Sequence, residues 1–170
     1  MISKRMEEEL NKQINAEFYS SYLYLSMAAW FDSQNLAGFS NWMNVQAQEE
    51  WAHGLKIFNF VNERGGKVSL AKIDEPKTEW TGIINVYEDV LEHEQKITSL
   101  INQLSDIAIE ESDHATKNFL HWFVDEQVEE EASVDNVLQQ LKMIDGKGTG
   151  LFLLDREMQS RVFVPIDGNN

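Results

Sequence analysis

An all-α chain, built as a four-helix bundle with one long crossover and a short fifth helix near the C-terminal end, is predicted by three observations. Only two prolines, Pro76 and Pro165, occur in 170 residues, so long helices are not interrupted by the residue that most often breaks them. Apolar residues recur at three- and four-residue spacing over long stretches, the period of an amphipathic helix and not the alternation of a strand. Turn-forming residues gather at a few places, and only one of those places is long. With 42% hydrophobic residues the chain can bury one sizeable core and is short for two, so residues 1–170 are expected to form one domain.

Each element follows in order. Residues 3–32 place Leu10, Ile14, Phe18, Ser21, Leu25 and Ala28 on one face and stop at Ser33-Gln34-Asn35. Residues 36–64 carry Phe39, Trp42, Met43, Ile57, Phe60 and Val61 to the pair Gly65-Gly66, a natural helix stop. The brief break between these two helices predicts an antiparallel hairpin. From Gly65 to Trp80 helical periodicity is lost; this long connection lets the third helix run parallel to the second. That helix, 81–111, shows Tyr87, Leu91, Ile97, Ile101 and Leu104, and Ser112-Asp113 offers an N-cap for the next. The fourth, 113–145, presents Phe119, Phe123, Val134, Val137 and Leu141 and ends among Gly146, Gly148 and Gly150. A short apolar helix over 150–161 follows, and Val162 to Asn170 trails off.

Composition excludes several classes of function. Asp and Glu number 29 against 14 Lys and Arg, for a net charge of -15, and no basic run is available to neutralise a phosphate backbone, so nucleic acid is not expected as a partner. Nothing approaches the roughly 20 apolar residues of a membrane span. Residues 1–9 are charged at Lys4, Arg5, Glu7, Glu8 and Glu9, unlike a signal region, and the cytoplasm is the expected location. With no cysteine, any metal must be held by oxygen and imidazole nitrogen, which leaves iron, manganese and zinc but removes iron–sulfur chemistry.

The informative feature is the placement of carboxylates on the core-facing stripes. Glu17 falls three residues after Ile14 and four before Ser21, and Glu94 three after Leu91 and three before Ile97, so both point inward. Glu50 and His53 continue the face of Met43 and Ile57; Gln127 and Glu130 continue that of Phe123 and Val134. A single acidic residue on a helix usually belongs to the surface. Four in register, with no Lys or Arg on the same stripes, need a shared explanation, because a buried carboxylate costs several kcal/mol unless protonated, paired or bound to metal. Two divalent ions would balance them. Bundle-core di-metal sites use one glutamate from each of two helices and Glu-x-x-His from each of the other two, and three of those four parts are present. His93, His114 and His121 are assigned to solvent or packing contacts.

The segments Asn15-Ala16-Glu17 with Tyr22-Leu23-Tyr24-Leu25, Gln48-Glu49-Glu50-Trp51-Ala52-His53, Glu92-His93-Glu94 and Glu126-Gln127-Val128-Glu129-Glu130-Glu131 resemble the non-haem ferritins of bacteria and archaea, over nearly the whole chain. The resemblance implies a ferritin-like fold and a ferroxidase that oxidises Fe(II) with dioxygen or peroxide. It implies one iron bound by Glu17, Glu50 and His53, and a second sharing Glu50 and adding Glu94 and Glu130. A third position would use Glu49, Glu126, Glu129 and Glu130. Gln127-x-x-Glu130 stands where bacterioferritins have a second Glu-x-x-His, so the two central positions are unequal. Ala52 stands where those proteins supply a haem-ligating methionine, and no haem is expected. Tyr24, seven residues after Glu17, and Trp122, four before Glu126, are candidates to stand beside the metals as electron donors; the alternative for each is a core aromatic with its polar tip hydrogen-bonded.

Storage implies a shell, and the family forms hollow homo-oligomers of twenty-four subunits holding ferric oxyhydroxide mineral. The short fifth helix would then gather at the four-fold axes, the alternative being that Phe152, Leu153, Leu154 and Met158 dock on their own bundle. His114 and Lys117 stand where relatives place channel carboxylates. The competing readings are a di-iron redox enzyme acting on an organic substrate, and a divalent-metal buffer without mineral storage.

Overall fold

The computed structural model describes residues 1–166, and among these it contains five helices and no strand: α1 Lys4–Ser33, α2 Ala37–Glu63, α3 Ile83–Glu110, α4 His114–Met143 and α5 Gly148–Met158. The last four residues of the predicted trailing end, 167–170, lie outside the described residues. α1 packs most extensively on α2, and α3 on α4, the two hairpins that the short breaks predict. Both breaks turn through a residue with positive φ, Asn35 at +58° and Ser112 at +55°. Ser3 caps α1, its hydroxyl accepting from the Met6 amide at 3.0 Å, and Asp113 caps α4, accepting from the Thr116 amide at 3.1 Å. The crossover lies along α1: Asn11 bonds the backbone of Lys67 and Ser69, Asn15 the Lys72 carbonyl and Ser26 the Lys77 carbonyl.

The fifth helix is shifted from its expected bounds, beginning two residues earlier and ending three earlier. Gly150 is a packing residue, not a breaker: a Cβ there would come within 2.8 Å of the Ile144 side chain. α5 also supplies a cap that α2 lacks. Leu36 has no side-chain oxygen to offer the first turn of α2, and Asp155 of α5 accepts from the Gly38 amide at 2.9 Å and the Phe39 amide at 3.1 Å. A carboxylate thus meets unsatisfied amides at the positive end of a helix. The approach needs glycine, since a Cβ at Gly38 would fall 1.6 Å from the Asp155 carbonyl oxygen. Gly38→Ala is therefore expected to lift α5 and cost about 1–3 kcal/mol of stability in thermal unfolding. Gly82→Ala, whose Cβ would meet nothing within 4 Å, is the control and should unfold near wild type.

Leu25 is not on the core stripe: it is 46% exposed, while Tyr24, Met27 and Phe31 take the interior. At 3.6 residues per turn Leu25 lies about 100° around the helix from Tyr24, which leaves it at the rim of the face that Tyr24, Met27 and Phe31 bury. Leu25 instead lines a groove with Trp51 and Leu55 between α1 and α2.

Two apolar clusters fill the bundle. One gathers Tyr24, Phe31, Phe39, Met43, Tyr87 and Leu138 toward the α5 end; the other gathers Met6, Leu10, Ile57, Ile101, Leu104 and Phe123 toward the far end. Between them, at mid-height on all four long helices, lies a buried polar belt of Gln13, Glu17, Gln46, Glu50, His53, Glu94, Gln127 and Glu130. The order of clusters along each helix runs one way in α1 and α4 and the opposite way in α2 and α3, as a single crossover requires.

Candidate metal centre

Each long helix brings one carboxylate into the belt because its apolar neighbours, one turn before and after, fix the face that turns inward. Glu17 is 1% exposed, Glu50 2%, Glu94 1% and Glu130 5%. Glu17, Glu50 and His53 offer ligand atoms within 4.8 Å of one another, and so do His53, Glu126 and Glu130. His53 stands between the two groups, its Nδ1 3.6 Å from Glu50 Oε2 and its ring edge-on to Trp122 with centroids 5.4 Å apart.

Electrostatics mark the belt as short of positive charge. Burial, and then the neighbouring Glu50 carboxylate, push Glu17 up to about 8, and its Oε2 has no hydrogen-bond partner. Burial followed by the charges of Glu94 and Glu130 raises Glu50 well above the usual carboxylate range. Burial and Glu94 push Glu130 up to about 7. Glu94 is raised by burial, against the opposing donors Tyr24 and Gln127. Among the described residues no Lys or Arg lies within 4.0 Å of these four carboxylates. Hard oxygen donors with one imidazole, closely spaced and uncompensated, fit a pair of hard cations such as iron.

Neutral donors hold the carboxylates in place. Gln13 donates to Glu17 at 2.7 Å; Gln46 donates to Glu50 at 3.2 Å and to Glu130 at 2.7 Å; Gln127 donates to Glu94 at 3.2 Å. The Tyr24 hydroxyl donates to Glu94 in a short contact, so Tyr24 is both buried and directed at the site. Such partners orient metal ligands and tune their basicity. Gln13 and Gln46 escaped sequence reading, although each lies four residues before its glutamate on the same face; inspecting only ionisable groups passes over that signal. Gln127 Nε2 also lies 3.3 Å from Thr98 Oγ1, whose hydroxyl donates to Glu131 at 2.5 Å.

The residues of the expected third position are less tightly gathered. Glu126 is half-buried beside His53 and Glu130, Glu129 is exposed, and Glu49 is half-buried and paired with Arg161. His93 is buried and accepts or donates at Ser20 Oγ, 2.7 Å away; His114 and His121 are exposed. Burial, with a smaller effect from Lys96, lowers His93 to about 4, which keeps it neutral.

Comparison with known proteins gives a consistent result. Residues 7–144 match the family described as Ferritin, ferritin-like domain. A bacterial non-heme ferritin of Staphylococcus aureus is 39% identical over 163 residues, spanning 96% of this chain and 98% of the relative. That of Staphylococcus saprophyticus is 40% identical over the same shares. Among solved structures, an open-pore ferritin from the hyperthermophilic archaeon Archaeoglobus fulgidus superposes with a TM-score of 0.94 at 52% identity, covering 95% of this chain and 98% of that one. A closed form of the Archaeoglobus fulgidus ferritin, engineered by site-directed mutagenesis, gives 0.95 at 51% identity, covering 96% and 100%.

Proposed function

The chain belongs to the ferritin family, and from that premise we propose that it takes ferrous iron as substrate at the buried belt, oxidises it, and stores the ferric product as oxyhydroxide in a hollow shell of its own copies. The observation that carries this reading is the set of four buried, cation-starved carboxylates, one from each long helix, with His53 among them. Iron bound by Glu17, Glu50 and His53 would sit beside iron bound by Glu50, Glu94 and Glu130, with Glu50 common to both. Carboxylate donors favour the ferric state over the ferrous and so lower the potential of the bound ion. Two adjacent Fe(II) ions supply two electrons together, enough to reduce dioxygen with two protons to hydrogen peroxide, or peroxide to water.

The other residues divide the remaining work. Gln127, an amide in place of a second charged or imidazole ligand, donates to Glu94 and leaves the two positions unequal. Glu126, Glu129 and Glu49 lie toward the outer side of His53 and Glu130 and would receive iron on its way to storage. Tyr24 positions Glu94 and is placed to give an electron. Tyr24→Phe is expected to slow single-turnover oxidation about tenfold, the scale for loss of a partner that orients a metal ligand. An unchanged rate and unchanged optical transients would remove Tyr24 from the chemistry.

Storage requires assembly, and a homo-oligomer of twenty-four subunits in the cytoplasm is the form we propose; among the described residues no helix is long and apolar enough to cross a membrane. Exposed Phe152 and Leu153 on α5 are available to neighbouring copies, whereas Leu154 and Met158 are buried in the chain's own bundle. The test is iron retained per subunit after aerobic loading with excess ferrous salt and passage through a sizing column. Retention far above three irons on a particle far larger than one chain is the expected result. Saturation near two irons on a small species would overturn storage and leave a redox enzyme or metal buffer.

A further inference from the structure

Past Met158 the chain stays on the bundle. Asn41 on α2 donates to the carbonyls of Met158 at 3.2 Å and Arg161 at 3.0 Å, which turns the following residues along α2. Phe163 enters the groove of Leu25, Trp51 and Leu55. Val164 and Ile166 then form one wall of a pocket of about 300 Å³ whose other walls are Glu49, His53, Lys56, Trp122 and Glu126. This strap therefore walls one side of the pocket in which the third iron position would lie.

Its first residue carries the charge. Arg161 Nη2 lies 2.5 Å from Glu49 Oε2, with side chains 23% and 21% exposed, and the guanidinium sits 4.3 Å from the centroid of the Trp42 ring. Arg161 is the one Lys or Arg, among the described residues, within 4.0 Å of any carboxylate assigned to iron. Its Nη1 is buried with no hydrogen-bond partner, so the group is fixed by one ion pair and one aromatic face. A pair this sheltered is screened less than a surface pair, and stacking on tryptophan adds to its hold.

We propose that Arg161 is a built-in counter-ion for Glu49, occupying the third position with the protein's own positive charge until iron displaces it. This rests on the assignment of Glu49 to that position. A multivalent cation approaching Glu49 and Glu126 must separate the guanidinium from the carboxylate, and the strap that carries Arg161 must shift with it. Residues 161–166 then set the affinity of the third position, and so how readily iron passes from the oxidising pair toward the stored mineral. Arg161 is a positioning residue here, acting through Glu49.

The test is calorimetric titration of the assembled, metal-free protein with Zn(II), a redox-inert probe, in wild type and R161Q. The wild type should show about two tight ions per subunit and a weaker class. In R161Q the tight class should be unchanged and the weaker class about fivefold tighter, as loss of a competing ion pair of about 1 kcal/mol implies, and adding E49Q should abolish the gain. A weaker class left unchanged or loosened in R161Q, with the tight class intact, would overturn the proposal. Absence of the tight class from the wild type would instead overturn the di-iron reading, and this proposal with it. Wild-type protein gives a second measurement that no folding defect can cloud: the amides of Ser160 and Arg161 donate to the Glu157 and Met158 carbonyls at 3.0 and 3.4 Å, and their exchange should quicken once Zn(II) exceeds two ions per subunit. Unchanged protection at full loading would also overturn the idea.

Discussion

Glu50→Ala is expected to lower the initial rate of ferrous oxidation by at least about 100-fold, the upper end of what loss of a mere orienting partner costs. In the proposed centre Glu50 is the carboxylate that both iron positions would share. It shares a 4.8 Å cluster with Glu17 and His53, and the charges that raise it come from Glu94 and Glu130 on the other side. Without it two bound irons have no common ligand, and the paired delivery of two electrons is lost even if each iron still binds. The metal-free variant should fold at least as well as wild type, because a buried carboxylate facing other carboxylates opposes folding. Stopped-flow absorbance of ferric formation, read beside thermal unfolding, separates the two effects. Oxidation within a few-fold of wild type in a well-folded variant would sink the bridging role. Glu129→Ala, at an exposed carboxylate, should stay within about twofold in the same assay, as surface substitutions usually do.

The bundle and its four inward carboxylates were legible in the sequence for one physical reason. Helical period converts spacing into direction, and a carboxylate at core spacing has few explanations. Spacing also told which helix pairs form hairpins, since a three-residue break leaves no room for anything else. Other features were hidden from the sequence for reasons that are equally physical. Leu25 was placed inside because it continues the spacing of Phe18, which itself lies at the rim of the buried face and is covered there by Trp51. The cap that Asp155 provides for α2 is remote in sequence, and no local pattern around Leu36 announces it. Arg161 was invisible for the same reason: its pairing with Glu49 depends on where the chain goes after α5, and the trailing residues have no periodicity to read. Gly150 was read as a stop, whereas it and Gly38, which carried no reading of its own, are sites of close approach between elements.

Metal binding should stabilise the protein far more at pH 8 than at pH 5. In the metal-free bundle Glu17 titrates at about 8 and Glu130 at about 7, against an ordinary 4.5, while Glu50 and Glu94 are displaced in the same direction. Between pH 4.5 and those raised values the folded state holds protons that the unfolded chain has released, so stability falls as pH rises. The favourable contribution is complete below about 4.5 and gone above about 8. At about 1.4 kcal/mol per pKa unit, the shift of Glu17 alone corresponds to several kcal/mol, or roughly 10 °C in Tm for a chain of this size. A bound cation takes the place of those protons and needs the carboxylates ionised, so the loaded form loses no stability over the same window and binds more tightly as pH rises. Scanning calorimetry of metal-free and Zn(II)-loaded protein from pH 5 to 8 should show a widening gap in Tm. In metal-free Glu17→Gln, which keeps the shape and removes the titration, the slope of Tm against pH should flatten. A gap that stays constant across the range would mean that the protein itself compensates these charges, and the case for a belt built to hold metal would fall with it.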